Sequence, residues 1–142
     1  MTCDVSPARS AQDLREFRRL PRLLRGADPQ WVEPLRTDQS RLLDQARHPF
    51  YVDGEGATAE LFLARDRQTG RVVGRVAAIL NERYNRYRRD STTAAPIQGF
   101  FGFFDSIDSP EVAQLLLESA AGWLQERGAG EMLGPASPSQ NY

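Results

Sequence analysis

Between Ser10 and Gly26 the apolar positions Leu14, Phe17, Leu20 (or Pro21), Leu23 and Leu24 recur at spacings of three and four, with arginines between them. That period is one face of an α-helix. Ser10 is placed to cap it, Asp13 three residues on makes a capping-box variant, and Gly26 supplies the stop. Pro21 removes a backbone hydrogen bond, so one kinked helix or two short ones, divided near Arg18, are expected. Prolines at both ends make 28–35 a fixed connector with Trp31 packed inward. A second short helix follows over 36–46, with Leu42 and Leu43 on its apolar side, and His48 begins a loop running to Gly56.

The pattern then turns to strands. The β-rich runs 60–65 and 71–80 are separated by five residues ending in Gly70, which supplies the positive φ a hairpin needs, so they pair antiparallel. A polar stretch over 81–95 reads as a solvated loop. Residues 97–104 hold four phenylalanines on a glycine-punctuated strand. Asp108 or Ser109 caps a long helix to Arg127, with Pro110 in its first turn and Val112, Leu115, Leu116, Ala120 and Trp123 or Leu124 as its buried stripe. Gly128 ends it, 131–135 is a short strand, and 136–142 is turn-like. A strand, a helix and a strand make a βαβ unit, so the last two strands lie side by side and parallel. The order α, α, β, β, β, α, β gives an α+β class with a mixed, mainly antiparallel sheet and flanking helices.

Composition narrows the setting. A chain of 142 residues fits one domain. No stretch approaches the ~20 apolar residues of a membrane span, and the first residues carry an acid and no apolar run, which argues against a leader and for the cytoplasm. All 18 basic residues are arginine, yet the formal net charge is -1, so bulk electrostatics does not draw the chain to nucleic acid or to anionic membrane; only a local patch would. Neither is expected as a partner. Cys3 is the single cysteine, without an internal disulfide, and is read as incidental near a frayed terminus.

Few residues carry candidate chemistry. Phe100, Phe101, Phe103 and Phe104 either frame an acyl groove or pack the core on both faces of a central strand, and Gly99 and Gly102 allow close approach of a ligand or another backbone. The arginine and tyrosine run 83–89 is a solvated loop or a phosphate surface. His48 is a general base or, more simply, a turn residue whose ring meets a backbone group. Asp105, at the carboxyl end of the aromatic strand, is the carboxylate to test as an acceptor-amine contact, against a helix-capping role for it or Asp108. No metal-ligand cluster, nucleophile elbow or Walker loop is present.

Five separated runs bring a family into view: Asp28-Pro29-Gln30-Trp31-Val32-Glu33-Pro34-Leu35, His48-Pro49-Phe50, 70–79, Gly99-Phe100-Phe101-Gly102-Phe103-Phe104-Asp105, and Gly134-Pro135. In this order the chain resembles a bacterial group within the GNAT superfamily of acyl-CoA N-acyltransferases. The resemblance implies a single GNAT-like domain over 1–142 that holds the fold through its fifth strand and lacks the C-terminal helix and strands, with a first strand absent or reduced to residues near 2–6. It implies transfer of an acyl group from acetyl-CoA or another acyl-CoA to an amine, by direct attack on a thioester polarised by strand amides. It places the cofactor at Phe103, Phe104, Asp105, Ser106 and Ser109, and leaves the catalytic base unknown. The family's phosphate loop pairs a glutamine or arginine with glycines, whereas 106–112 here has neither and carries Asp108 and Glu111. A non-catalytic ligand-binding or interaction domain with a degenerate CoA loop is the alternative.

If the chain ends at Tyr142, the last strand lacks its neighbour and leaves an exposed edge, and a symmetric contact between two copies is expected to cover it. Light scattering during size exclusion should give the mass of a homodimer with Met132 or Leu133 at the contact; a stable monomer at micromolar concentration would refute this.

Overall fold

The computed structural model describes residues 2–52, 56–91 and 94–138. The chain opens with β1 (Cys3–Pro7), followed by three helices, α1 (Ala11–Arg25), α2 (Arg36–Leu42) and the single turn α3 (Pro49–Val52). The strands β2 (Ala57–Asp66) and β3 (Val72–Asn81) follow, then α4 (Glu82–Ser91), β4 (Gln98–Ser106), α5 (Pro110–Glu126) and β5 (Glu131–Leu133). The strands lie in sequence order in one sheet, antiparallel from β1 to β4, with β5 added parallel to β4.

Period two along the middle strands sorts the core onto two faces. Phe62 and Ala64 of β2 and Val76, Ala78 and Leu80 of β3 meet Val112, Leu116, Ala120 and Leu124 of α5. Leu61, Leu63, Ala77 and Ile79 turn the other way and pack with Phe17 of α1 and Phe50 of α3. A strand covered on both faces reads as an unbroken apolar run, which is why 71–80 shows little alternation. Gly70 takes the turn between β2 and β3 at φ 71°, a value that glycine adopts without steric cost.

The expectations for the α5 cap and stripe, the β2–β3 hairpin and the parallel final pair agree with the structure. Ser109 caps α5, accepting from the Val112 N–H, and Ser10 and Asp13 form a complete capping box on α1. One expectation is narrowed and three are corrected. First, of the single helix or the two short ones expected, α1 is the single helix, running through Pro21: the Phe17 carbonyl, which lacks a residue-21 amide to receive, accepts from Arg75 Nη1 at 2.8 Å instead. Second, 81–95 is not a loop throughout. Asn81 accepts from the Tyr84 N–H at 3.1 Å as a helix cap, and the buried Asn85 side chain accepts from the Gln98 N–H and donates to the Gln98 carbonyl, both at 2.8 Å, tying α4 to the start of β4. Third, the terminus around Cys3 is not frayed. It is β1, bonded along β2, and burial, with Glu111 and Asp4 beside it, raises the Cys3 thiol above its ordinary range. Fourth, the second helix ends at Leu42, and part of the loop after His48 is the turn α3; residues 53–55 of that loop and 139–142 of the turn-like end lie outside the described residues. Trp31 is half-buried in the connector.

The α3 turn is pinned by Tyr51, whose hydroxyl donates to the Leu42 carbonyl at 2.9 Å. Burial pushes this phenol up to about 12. Because the folded value lies above the ordinary ~10, its contribution is fully present below pH ~10 and is lost as pH rises through the folded value. Titration of phenolate absorbance should show one tyrosine ionising last, and Y51F should remove that step; an unchanged last step would place the late phenol elsewhere.

Candidate functional site

The aromatic strand carries an irregularity that sets the site. Ala77 pairs with Gly102 and Arg75 with Asp105, so β4 spends one residue more than β3 over this interval, a bulge centred where Phe103 sits at φ 49°. The extra residue resets the alternation. Phe101 and Phe104 point to the α5 face, 6.3 Å apart edge to face, while Phe100 and Phe103 join the α1 face. Core packing on both faces is therefore what the four phenylalanines do.

Asp105 follows Phe103 onto the α1 face and meets Arg75, which is 6% exposed in the middle of β3. Arg75 Nη2 lies 3.1 Å from Asp105 Oδ2, and Arg25 Nη2, from the last turn of α1, lies 2.8 Å from Asp105 Oδ1. The Arg75 guanidinium also stacks 4.8 Å from the Phe17 ring centroid and 5.9 Å from that of Phe103. Burial lowers the Arg75 guanidinium below its ordinary value, opposed by the charge and hydrogen bond of Asp105. Sequence reasoning reached Asp105 but missed both arginines. The readable signal was a lone arginine inside the apolar run 72–80.

Beyond this cluster the sheet opens. β4 and β5 pair only from Gln98 with Glu131 to Phe100 with Leu133, while β4 continues to Ser106. Past that point residues 136 and 137 stand on the β4 edge: the Ala136 N–H donates to the Phe101 carbonyl at 2.9 Å, and the Phe103 N–H donates to Ser137 Oγ at 3.0 Å. Gly102 has no side chain because a Cβ there would overlap the Ala136 carbonyl, and one at Gly99 would overlap Leu124. The close approach expected at both glycines is thus made by this chain itself.

The remaining predicted residues sit at the junction of β4 and α5. The Ser106 hydroxyl donates to the Ile107 carbonyl at 2.6 Å, and Ser109 is the N-cap. Pro110 offers no amide and Val112 spends its own on the cap, which leaves the Glu111 N–H in the first turn, beside a carboxylate. Asp105 and Phe103 are thus together on one face, Phe104 lies on the other, and the two serines lie at the strand's end. Elsewhere, His48 Nδ1 accepts from the Phe50 N–H at 3.1 Å, the turn role expected of it. In the 83–89 run Arg88 donates to the Pro96 carbonyl at 2.8 Å and covers the Tyr84 ring. Among the described residues no cluster of His, Cys, Asp and Glu is placed to hold a metal, and no helix is long and apolar enough to cross a membrane.

This arrangement, a mostly antiparallel sheet whose fourth strand parts from a short parallel fifth, with a helix springing from the fourth, is the GNAT-like fold. Solved structures share it: a putative acetyl transferase from Pyrococcus furiosus (13% identity, TM-score 0.55, 93% of this chain and 80% of that one). An aminoglycoside acetyltransferase from an uncultured soil metagenomic sample, in complex with sisomicin, matches at 15% identity and TM-score 0.58 over 94% of this chain and 77% of its own. The acetyltransferase AAC(6')-Iy, in complex with the bisubstrate analog CoA-S-monomethyl-acetylneamine, matches at 18% and 0.57 over 99% and 84%. No family model matches the chain. By sequence it is 31% identical over 137 residues to the bacterial ceramide synthase of Caulobacter vibrioides, covering 96% of this chain and 33% of that protein. It is also 31% identical over 130 residues to Protein YghO of Escherichia coli, covering 91% and 30%. The chain spans about a third of the length of these curated relatives.

Removing Arg75 strands the Phe17 carbonyl and leaves Asp105 to Arg25 alone. R75M should lower the free energy of unfolding by roughly 3 kcal/mol or more, with R75K intermediate because one ammonium cannot serve both the carboxylate and the carbonyl. Urea denaturation measures it, and a loss under ~1 kcal/mol would put the cluster among ordinary surface ion pairs.

Proposed function

We propose that this chain forms the acyl-CoA-facing part of an N-acyltransferase that joins an acyl group from CoA to an amine. The observation that carries the reading is the parting of β4 from β5 after Phe100, which leaves the carboxyl half of β4, up to the start of α5, without a strand partner on that edge and met at Phe101 and Phe103 by residues 136 and 137, in a GNAT-like fold. The relative named bacterial ceramide synthase supports it, since ceramide is an amide and the likeness runs along 96% of this chain. In this reading the acyl-CoA runs along the β4 backbone edge at Phe103 and Phe104, whose rings stay in the two cores, and Ser106 and Ser109 face the phosphates. The Phe103 N–H, released from Ser137, polarises the thioester carbonyl for attack by the amine. Each Asp105 oxygen is held by an arginine, so in this reading Asp105 meets the amine as a positioning contact and is not assigned as the base. The base belongs to another residue. The setting is the cytoplasm, and a second copy covers Leu133, 44% exposed on the outer strand.

A second reading rests on Asp108, Glu111 and Pro110 at the start of α5, where a diphosphate would meet two carboxylates and one amide fewer: a binding or interaction domain that keeps the fold without the reaction. Calorimetry with acetyl-CoA and longer acyl-CoAs separates the two. The first expects binding that tightens several-fold in D108N/E111Q as repulsion of roughly a kcal/mol per carboxylate is relieved; no heat at millimolar ligand in either form leaves the second.

A further inference from the structure

On its outer side α1 carries Arg15, Arg18, Arg19 and Arg22, spaced three and four apart on one helical face. With Arg36 from α2 they line a cleft of about 860 Å³ in which Glu33 is the single carboxylate. The acids of α1 that might have balanced this charge are spent elsewhere, Asp13 and Glu16 both pairing with Arg65 of β2. Among the described residues no ion pair joins Arg18, Arg19, Arg22 or Arg36 to a carboxylate. A chain of net charge -1 has therefore concentrated positive charge at one place. This is the local patch that the bulk charge left open.

Bare apolar side chains stand on the cleft or one residue along the chain from its lining. Leu23, which lines it, is 70% exposed; Val32 and Leu35, chain neighbours of the lining residues Glu33 and Arg36, are 84% and 69% exposed. Among the described residues the exposed large apolar side chains are these three with Val52, Tyr87 and Leu133, so half of them lie on the arginine-lined cleft or one residue from its lining. A nucleic-acid surface would join such charge to exposed rings for base stacking, and here the rim is aliphatic, with Trp31 half-buried. Aliphatic side chains beside unpaired arginines match a bilayer surface, where the chains enter the acyl boundary and the guanidinium groups meet lipid phosphates. The geometry points to the α1–α2 face as a peripheral docking site for anionic phospholipid membrane, with Arg18, Arg19, Arg22 and Arg36 on the headgroup phosphates and Leu23, Val32 and Leu35 inserted between them. This site stands independently of acyl transfer and needs no CoA.

The experiment is sedimentation with vesicles. The chain should be carried down by phosphatidylcholine vesicles containing about a third phosphatidylglycerol, not by phosphatidylcholine alone, and capture should fall roughly tenfold between low and high salt. R18Q/R22Q/R36Q and, separately, V32S/L35S should each weaken capture several-fold while leaving the thermal melt in place, since these side chains lie at the surface. Equal capture by neutral vesicles, no capture by anionic ones, or an unaffected V32S/L35S would overturn the proposal; in the last case the cleft is a site for free phosphate, which inorganic pyrophosphate in millimolar amounts would then block. Binding of a single-stranded oligonucleotide without capture by anionic vesicles would overturn it in favour of nucleic acid.

Discussion

Arg75 occupies the middle of the sheet, 6% exposed, and one planar group there answers three separate demands. It supplies the hydrogen bond that Pro21 takes away from the Phe17 carbonyl, it neutralises Asp105, and it lies against the Phe17 and Phe103 rings. Taking a guanidinium out of water costs several kcal/mol, and a single ion pair does not reliably repay it. Here the cost is offset by a fork each of whose nitrogens faces an acceptor, Nε and Nη2 on Asp105 and Nη1 on the Phe17 carbonyl, and no buried side-chain polar atom among the described residues is left without a partner. Without that arginine, Pro21 would be a helix breaker at the sheet's surface. With it, α1 continues through Pro21 as a single helix.

The same residue fixes the register at which β4 leaves the regular ladder. Asp105 must reach Arg75 while Gly102 stays opposite Ala77, and the bulge at Phe103 is the backbone solution that allows both. Once the bulge is made, the edge of β4 presents donors and acceptors that β5 no longer serves. In this chain Ala136 and Ser137 serve them. In the acyltransferase reading, an acyl-CoA on β4 would have to replace those contacts, and its binding would compete with the observed position of residues 136 and 137.

What could be read in advance follows from where each signal lives. The α5 helix, its Ser109 cap and the hairpin at Gly70 were legible because local pattern and tertiary role agree there. α1 was legible in extent, but whether it would be one helix or two was left open, because the partner that serves the Phe17 carbonyl stands far along the chain, at Arg75. The helix α4 escaped because its sequence is polar on nearly every side, and the residue that anchors it, Asn85, works by copying a strand's hydrogen bonds to Gln98. Asn81 before Glu82 was the available start signal. At the candidate site the aromatic strand and Asp105 were visible, whereas the clamp of Arg25 and Arg75 depends on a bulge that composition does not announce.

The two faces of α1 now connect the core to the surface. Its inner face, Phe17, Leu20 and Pro21, is buried and pegged to the sheet by Arg75. Its outer face is therefore not a set of independent flexible charges but an array held at fixed spacing on a helix that cannot roll without breaking the Phe17 contact. Holding five arginines around one cleft raises their mutual repulsion, a cost that the buried inner face of α1 offsets. A shift of Arg75 would thus be felt on both sides of α1: inward as a loosened bulge at Phe103, and outward as a guanidinium array freed to spread. The buried arginine and the exposed ones are in that sense parts of one device, the first setting the geometry in which the others can meet an anionic surface together.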